Sequence, residues 1–302
     1  MAWSEADIPD QSGRTVLITG ANSGLGLRSA QVLAAKGAHV LMACRSTEKG
    51  KAALATVDGA AELLQLDLAD LASVRKAAAE VRERTGDQLH VLMNNAGVMA
   101  PPKGKTADGF ETQIGTNHLG HAALTWLLLP AVTDRVVTVS SIAHRGRGFD
   151  IDDLNWERRR YSAGAAYSAS KLANLLFTFE LDRRLRAAGS SVRSVAAHPG
   201  MTDTELSANT FRARGPVANA LSKAVSFGNR FITQSLAQGT LPQLLAATGD
   251  VAGGEYYGPT RLSEIFGPPG PAHPRAAARN TELARKLWDR TAELTGVAPE
   301  PA

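Results

Sequence analysis

The chain has 302 residues, of which 44% are hydrophobic and 21% charged, a globular balance with enough apolar material for a sizeable core. The net charge is +4 with Lys and Arg spread along the chain, so a nucleic-acid binder with a clustered basic surface is excluded. One cysteine excludes an intrachain disulfide, and no apolar stretch is long enough to cross a bilayer. With an acidic N-terminus unlike a signal peptide, we expect a cytoplasmic protein without a transmembrane segment.

Short apolar or β-branched runs alternate with longer helical patterns along most of the chain. The strands lack a polar face, which is typical of a parallel sheet covered by helices on both sides. The pattern predicts strands at 15–19, 38–43, 62–66, 89–93, 135–139 and 191–197, and helices at 25–36, 47–57, 71–84, 110–129 and 165–188. Right-handed crossovers predict a single doubly wound α/β domain of Rossmann type, with about seven strands and a core at about 12–258.

The last third of the chain follows a less regular pattern. Residues 204–247 are mixed and apolar, which predicts two helices that close over a substrate as a lid. Residues 267–274 are rich in Pro and Gly and are interpreted as an extended arm, which leads to a helix from 281 to about 294. Nothing in the composition of this part names a ligand.

A glycine-rich turn joins the first predicted strand to the first helix. Three glycines permit a tight turn and a close approach of the backbone to a pyrophosphate, which the free N–H groups of the helix would hold. In this strand–turn–helix context the motif indicates a dinucleotide site rather than an ordinary loop. The residues assigned to the turn are Gly20, Asn22, Ser23, Gly24, Leu25 and Gly26.

Arg45 directly follows the second predicted strand and bears on the choice between NAD and NADP. An acidic residue about 20 positions after the glycines would bond the ribose 2′-hydroxyl. An arginine there can instead bind a 2′-phosphate through bidentate hydrogen bonds from its planar guanidinium group. NADP(H) is therefore the predicted cofactor, and the alternative is a surface arginine at a strand end.

Tyr167 and Lys171 stand four positions apart at the start of a predicted helix. Positions i and i+4 share a helix face, so the phenol and the ammonium can point into one pocket. A nearby cation can lower the tyrosine pKa by roughly 1–3 units, which would make Tyr167 a usable general acid or base. The YxxxK pattern alone is weak evidence for a catalytic pair, and the motifs that precede it in the chain strengthen that interpretation.

From the glycine turn onward, over about residues 12–258, the sequence resembles the short-chain dehydrogenase/reductase family. The resemblance rests on TGANSGLG at 19–26, NNAG at 94–97, a strand that ends in two serines, and YSASK at 167–171. The ACR segment at 43–45, KLAN at 171–174 and a long insertion at 146–164 resemble the branch of retinol dehydrogenases and light-dependent protochlorophyllide reductases.

The resemblance assigns roles to residues around the tyrosine. Ser141 would orient the reacting oxygen, with Ser140 as the alternative, and Asn117 would hold a water that relays protons past Lys171. For the cofactor it implies adenine contacts from Asp67 and Leu68, for which capping of the next helix is the alternative and fits Asp70 better. It further implies contacts from Asn94, Ala96, Gly97, Tyr167, Lys171, Pro199, Gly200 and Thr204, with a partly structural role for the NNAG segment.

The resemblance implies an NADP(H)-dependent oxidoreductase that transfers a hydride between nicotinamide and a carbonyl or alcohol carbon. Relatives in this branch act on large apolar molecules, so a lipophilic small-molecule substrate is expected and the 146–164 insertion is interpreted as a cleft wall or a plain surface loop. The alternatives are a non-enzymatic NADP(H) sensor and an enone reductase. No metal site is expected, and a homo-oligomer is possible in such a family.

Three further side chains, Cys44, His118 and His121, are expected to be structural. Cys44 ends an apolar run and is interpreted as a buried thiol. The two histidines are interpreted as helix-packing or surface groups rather than acid–base catalysts. The basic cluster at 158–160 is interpreted as a solvated loop, with an anion contact as the alternative.

Overall fold

A computed structural model of the protein describes residues 2–201 and 234–298. Within them, eight strands form one sheet. They are β1 (Thr15–Thr19), β2 (His39–Cys44), β3 (Ala61–Gln65), β4 (Leu89–Asn94), β5 (Val132–Val139), β6 (Arg193–Ala197), β7 (Tyr256–Arg261) and β8 (Phe266–Pro271). The helices are α1 (Gly24–Ala35), α2 (Thr47–Leu54), α3 (Leu71–Thr85), α4 (Thr112–Ile114), α5 (Gly120–Leu128), α6 (Ala163–Ala187), α7 (Leu236–Thr248) and α8 (Thr281–Thr295).

The strand order across the sheet is β3-β2-β1-β4-β5-β6-β7-β8. Neighbours from β3 to β7 are parallel, and only β7 and β8 pair antiparallel. The order reverses between β1 and β4, and such a switch point opens a crevice beyond the carboxyl ends of the strands. This topology confirms the predicted doubly wound α/β fold.

Side chains of successive strand residues enter two separate cores. Leu17 of β1 belongs to one apolar cluster and Ile18 to the other, and both are fully buried. The same alternation holds for Leu41 and Met42 of β2. Helices on both faces therefore cover the sheet, which is why the strands carry no polar face in the sequence.

The sheet has one strand more than the seven predicted. Phe266–Pro271, which overlaps the predicted arm, is extended but pairs with β7 as β8. Proline cannot donate to a ladder, so Pro268, Pro269 and Pro271 are tolerated at this edge position. The arm prediction missed this pairing because composition marks an extended backbone without naming its partner.

The predicted helix at 110–129 is divided into three pieces. The short α4 continues into a π-helical segment, Gly115–Leu119, and then into α5. A Cβ on Gly120 would lie 2.3 Å from the carbonyl oxygen of Leu68, and one on Gly115 would lie 2.4 Å from Thr106. The two glycines thus let this helix pack closely against neighbouring backbone and side chains, and a π turn often marks a functional site.

The C-terminal helix α8 covers the outer side of α5 and α6. Trp288 stacks on Phe177 with centroids 5.5 Å apart and packs edge-on against Trp126 at 4.8 Å. His118 shares a 2.9 Å hydrogen bond with Thr291 of α8, so this histidine is a buried packing group, as predicted. This aromatic contact attaches the end of the chain to the helix that carries Tyr167.

Of the predicted lid at 204–247, the structure describes only residues from 234 onward, which include α7. Thr204 and the greater part of the lid lie outside the described residues. Among the helices that are described, none is long and apolar enough to cross a membrane.

Candidate active site

The glycine turn lies at the carboxyl end of β1, with a backbone that only glycine adopts easily. Gly20 and Gly24 have φ values of +68° and +54°. A Cβ on Gly26 would lie 2.5 Å from both the Gly20 carbonyl oxygen and the Asn95 amide nitrogen, so α1 can sit this close to the turn only without a side chain there. At Gly24, a Cβ would meet nothing within 4 Å, which leaves a concave backbone surface in front of the helix N-terminus.

Two polar side chains tie the β1 turn to the loop after β4. The Thr19 hydroxyl accepts hydrogen bonds from the backbone N–H groups of Asn95 and Ala96, both at 2.9 Å. Asn95 in turn donates to the Thr19 carbonyl at 2.8 Å, and Gln243 of α7 donates to Asn95 and to Ser29. Thr19 and Asn95 were not among the predicted site residues, although both belong to the motifs that predicted the site.

One cleft collects eleven of the predicted cofactor residues. They are Gly20, Asn22, Ser23, Gly24, Leu25, Gly26, Arg45, Asp67, Leu68, Ala96 and Gly97. Additional lining comes from residues that the prediction omitted, namely Thr19, Ala43, Leu66, Asn95, Val98 and Thr116. The cleft lies at the switch point of the sheet, where Thr19, Ala43 and Leu66 mark the ends of three adjacent strands.

Three predicted cofactor residues differ in what their side chains do. Arg45 is exposed and has no hydrogen-bond or ion-pair partner among the described residues. The Asp67 carboxylate accepts from the Ala69 N–H at 2.9 Å, whereas capping of α3 falls to Asp70, as predicted. The Asn94 side chain is fully buried and donates to Thr125 at 2.8 Å, so it packs in the sheet rather than lining the cleft.

Tyr167, Ser141 and Lys171 lie together beside this cleft, next to its lining residue Gly97. The Tyr167 hydroxyl is hydrogen-bonded to Ser141, and the Lys171 ammonium lies 5.8 Å from the centre of the Tyr167 ring. Lys171 is 4% exposed and donates to the Val139 carbonyl at 3.0 Å. A Cβ on Gly97 would lie 3.5 Å from the Lys171 nitrogen, which places this group beside the rest of the cleft.

Ser140, the alternative to Ser141, faces away from Tyr167. It is buried and donates to the Lys171 carbonyl at 2.9 Å, so it ties β5 to α6. Ser141 also accepts from the Ala143 N–H at 3.2 Å and begins the 3₁₀ turn Ile142–Arg145. Of the two serines, the structure therefore brings Ser141 to the tyrosine.

Burial dominates the electrostatics of this end. It lowers the pKa of the Lys171 ammonium to about 8, because the charged form loses its hydration. It raises the pKa of Tyr167, and the hydrogen bond to Ser141 offsets only part of that rise. The expectation that the pKa of Tyr167 is lowered is therefore wrong for the protein alone, since desolvation outweighs the hydrogen bond to Ser141.

Asn117 lies in the π-helical segment and bonds to the loop after β4. Its side chain accepts from the Val98 N–H at 2.8 Å and donates to the Val98 carbonyl at 2.9 Å. It also donates to Ser170, the neighbour of Lys171, at 3.0 Å. His121 donates to or accepts from the Thr19 hydroxyl at 2.9 Å and contacts the Asn117 carbonyl, so it is a buried packing group, as predicted.

The insertion at 146–164 folds inward instead of forming a loose loop. Trp156 is 4% exposed and packs edge-on against Tyr161 at 5.7 Å. The Tyr161 hydroxyl donates to Glu111 at 3.0 Å and accepts from Gln113 at 3.1 Å. These contacts attach the insertion to α4 and its start, next to the loop that Asn117 holds.

Pro199 and Gly200 follow β6 in a short loop that rests on the β7–β8 turn. Gly200 has a φ of +69°, and a Cβ there would lie 2.3 Å from the Ile265 carbonyl. The Met201 N–H donates to the same carbonyl at 2.9 Å. The β7–β8 turn thus fixes the path of this loop, a contact that no local sequence signal indicated.

Cys44 is buried at the end of β2, as predicted. Burial raises the pKa of its thiol to about 11, which leaves it protonated near neutral pH. Together, a glycine-lined cleft and a Ser–Tyr–Lys group beside it, with the lysine buried and the two hydroxyl residues partly exposed, can hold a dinucleotide and move a proton at a substrate oxygen.

Comparisons with known proteins agree with this arrangement. The family model described as short chain dehydrogenase matches residues 14–215. Retinol dehydrogenase 13 of Homo sapiens is 39% identical over 305 residues, which cover 97% of this chain and 87% of that protein. A solved structure of an uncharacterised protein from Mycobacterium paratuberculosis is 46% identical with a TM-score of 0.84, and covers 99% of this chain and 100% of the other.

A second solved structure contains a cofactor. It is described as a NAD(P) dependent gluconate 5-dehydrogenase from Beutenbergia cavernae with bound NADP at low occupancy. It is 26% identical with a TM-score of 0.61, and the match covers 81% of this chain and 94% of that chain.

Proposed function

The chain belongs to the short chain dehydrogenase family, in the branch of the retinol dehydrogenases, and from this premise we propose that it is an NADP(H)-dependent oxidoreductase of carbonyl or alcohol groups. The observation that carries the proposal is the Ser141–Tyr167–Lys171 group beside the glycine-lined cleft, in which Lys171 is buried and the serine and tyrosine are partly exposed. A protein that only sensed NADP(H) would have no need of these three groups together.

The cleft fits a dinucleotide on its own geometry. Gly26 leaves room for close backbone packing, and the open surface at Gly24 lies in front of the free N–H groups of α1, which suit a pyrophosphate. Asp67 and Leu68 would contact the adenine, and Gly97, Pro199 and Gly200 would lie along the other half of the cofactor. When bound, the nicotinamide supplies or accepts the hydride, and the protein determines where that happens.

Arg45 supports NADP(H) over NAD(H). Its guanidinium is exposed at the cleft with no partner among the described residues, so it is available to a 2′-phosphate. Asn22 and Ser23 line the same part of the cleft and would add hydrogen bonds. The NADP-containing structure of a 26% identical protein agrees with this preference.

The protein side of the reaction is a proton transfer at the substrate oxygen. Ser141 and Tyr167 would both hydrogen-bond that oxygen, and in reduction the Tyr167 hydroxyl gives its proton to the developing alkoxide. The buried Lys171 ammonium would stabilise the resulting phenolate. Asn117, through Ser170 and the Val98 backbone, holds the helix turn that carries Lys171 and would position a relay water.

A lipophilic substrate is proposed from the branch to which the chain belongs, since the similar human protein is a retinol dehydrogenase. The inward-packed insertion adds Trp156 and Tyr161 beside the 98–103 loop, where Lys103 donates to the Trp156 carbonyl. Two ordered aromatic rings at this position would suit an apolar substrate better than a sugar or an acid.

Tyr167→Phe tests the proposal. Removing the hydroxyl should reduce turnover of an aldehyde or ketone with NADPH by about 10²–10⁴-fold, which is the usual contribution of general acid–base catalysis. The dissociation constant for NADPH, measured by its fluorescence, should change by less than about twofold because the ring stays in place. Tyr257→Phe, which removes a half-buried hydroxyl in β7, is the control and should leave turnover unchanged. Retention of most turnover by Tyr167→Phe would refute the proposal.

A further inference from the structure

The turn between β7 and β8 has an unusual backbone. Leu262, Ser263 and Glu264 have φ values of +45°, +54° and +70° in succession. Residues with a Cβ rarely adopt this region, and such strain persists only where surrounding contacts impose it. Leu262 is 64% exposed and gains little burial from this conformation, whereas Glu264 is only 8% exposed. The strained conformation therefore serves to direct the Glu264 side chain inward.

Glu264 contacts three segments of the chain, two of which are distant from it in sequence. Its Oε2 accepts from Arg145 at 2.7 Å and lies 3.3 Å from Nε2 of His198. Its Oε1 accepts from the His273 N–H at 2.8 Å and lies 3.1 Å from the His273 ring. Burial alone would raise the pKa of this carboxyl, but the contacts with His198 and His273 and the Arg145 charge hold it at about 2. Glu264 is therefore ionised at any pH near neutrality.

Two of these segments belong to the proposed active site. Arg145 ends the 3₁₀ turn that Ser141 begins, and in that turn the His144 ring contacts the Ser141 carbonyl at 2.7 Å. His198 immediately precedes Pro199 and Gly200. The neighbouring residue of the turn, Ile265, also accepts from the Met201 N–H. One carboxylate thus joins the serine segment to the loop that follows β6.

The space around His198 leaves it little freedom. A Cβ on Gly258 would lie 1.9 Å from His198 Nε2, so the ring rests directly on the β7 backbone. Tyr256 packs against it with centroids 5.1 Å apart and against the His144 ring at 5.6 Å. Among the described residues, Glu264 is the acidic group that faces this ring. A change at Glu264 should therefore be transmitted to the loop and not absorbed by local mobility.

We propose that Glu264 is a positioning residue, which holds the 199–201 loop and the Ser141 turn in register so that the nicotinamide half of the cofactor and the substrate oxygen meet Tyr167 correctly. The proposal rests on the proposed function, and it concerns one half of the cleft only. Among the described residues, neither the glycine turn nor Arg45 at the other half forms a hydrogen bond or an ion pair with Glu264. Loss of Glu264 should then weaken the binding of NADPH but leave unchanged the binding of a cofactor fragment that lacks the nicotinamide.

The experiment compares Glu264→Gln with the wild type. The probes are NADPH and adenosine 2′,5′-bisphosphate, which carries the 2′-phosphate but lacks the nicotinamide. We expect Glu264→Gln to weaken NADPH binding or lower kcat by about tenfold to a hundredfold, because small misplacements of reacting groups have effects of this size. Binding of the bisphosphate should change by less than about twofold. Glu264→Asp, which retains the charge on a shorter side chain, should recover part of the loss.

Asp134→Asn is the matched control. Asp134 is a largely buried carboxylate that joins Arg14, Arg135 and Arg193 near the amino ends of the strands. Loss of this carboxylate should lower the thermal midpoint of unfolding about as much as Glu264→Gln does. The affinities for NADPH and for the bisphosphate, and kcat, should stay near their wild-type values. If Glu264→Gln does not fold, Arg145→Gln can replace it, because it removes the cation that pairs with Glu264 at a side chain that is about one-third exposed. The binding of NADPH and of the bisphosphate is then compared in the same way.

Wild-type behaviour of Glu264→Gln toward NADPH and substrate would overturn the proposal. An equal loss of NADPH and bisphosphate binding would also overturn it, since the role would then be general stability. A wild type that binds NADPH but reduces no carbonyl would instead refute the proposed reaction, and the two affinities would still decide the role of Glu264.

Discussion

The two ends of the cleft are built in different ways. At the end with the glycine turn, the surface is largely backbone, and its cationic side chain, Arg45, is exposed. At the other end, Lys171 and Asn117 are buried, and each is bonded to a neighbouring backbone carbonyl. One end is therefore a backbone surface with an exposed cation beside it, and the other is a group of buried, hydrogen-bonded side chains.

This difference predicts that cofactor affinity depends on the end with the glycine turn and that the reaction depends on the end with Lys171. An exposed arginine contributes its charge without supporting any other residue, so its removal should affect one ligand group only. A buried lysine in a dry environment has a shifted pKa and supports its neighbours, so its ionisation should govern the reaction. Each of the following experiments can break or sharpen that separation.

Of the three experiments that follow, the largest effect on the cleft is expected at Arg45. Arg45→Ala should weaken NADPH binding by roughly tenfold to a hundredfold, since a charge-assisted hydrogen bond contributes about 1.5–3 kcal/mol. Binding of NADH, which lacks the 2′-phosphate, should not change, and kcat at saturating NADPH should hold. Lys49→Ala removes another exposed cation, on α2, and is the control. Equal losses for NADPH and NADH would mean that Arg45 does not select the cofactor.

A smaller effect is expected from the ionisation of Lys171. Burial favours the neutral amine, so the ammonium loses its proton as the pH rises through about 8. Carbonyl reduction that needs the ammonium should therefore be about fourfold slower at pH 8.5 than at pH 7 with saturating substrates. In Lys171→Arg the guanidinium stays charged, so the decline should vanish even if the overall rate is lower. The same decline in Lys171→Arg would assign it to another group.

The smallest effect on the cleft is expected from Trp288→Ala. Trp288 packs between Phe177 and Trp126 on the far side of α6, and its removal should lower the free energy of unfolding by about 3–5 kcal/mol. Turnover per folded molecule should change by less than about twofold, because α8 packs on the outer side of α6 and, among the described residues, forms no hydrogen bond or ring contact with Ser141, Tyr167, Lys171 or Asn117. Urea unfolding and active-site titration measure the two quantities. A large fall in turnover would show that the two ends depend on α8.

The order of strands and helices and the glycine turn could be predicted because their signals are local. The periodicity of a segment and the need for positive φ at Gly20 and Gly24 depend on a few neighbouring residues. The pairing of β8 could not be predicted in this way, since a Pro- and Gly-rich stretch is extended whether or not it has a partner. The π-helical segment around Asn117 depends on close packing at Gly115 and Gly120, which no helical periodicity reveals.

Among the candidate site residues, motif spacing identified Ser141, Tyr167 and Lys171, and the structure brings them together. Spacing did not distinguish Asn94, which points into the sheet, from Asn95, which lines the cleft, because adjacent strand residues point to opposite faces. It also gave the wrong direction for the Tyr167 pKa, since the effect of burial depends on everything around the ring.

Local chemistry alone specified an α/β chain with a dinucleotide turn and a tyrosine–lysine pair one helical turn apart. Which groups meet across the cleft depended on long-range packing: Glu264 contacts Arg145, which precedes it by 119 residues in the chain. Local preferences for helix, strand or turn arise from backbone sterics and side-chain periodicity, so a short stretch of sequence is enough to predict them. Contacts between distant segments and the burial that shifts a pKa exist only once the sheet and its helices have closed around them.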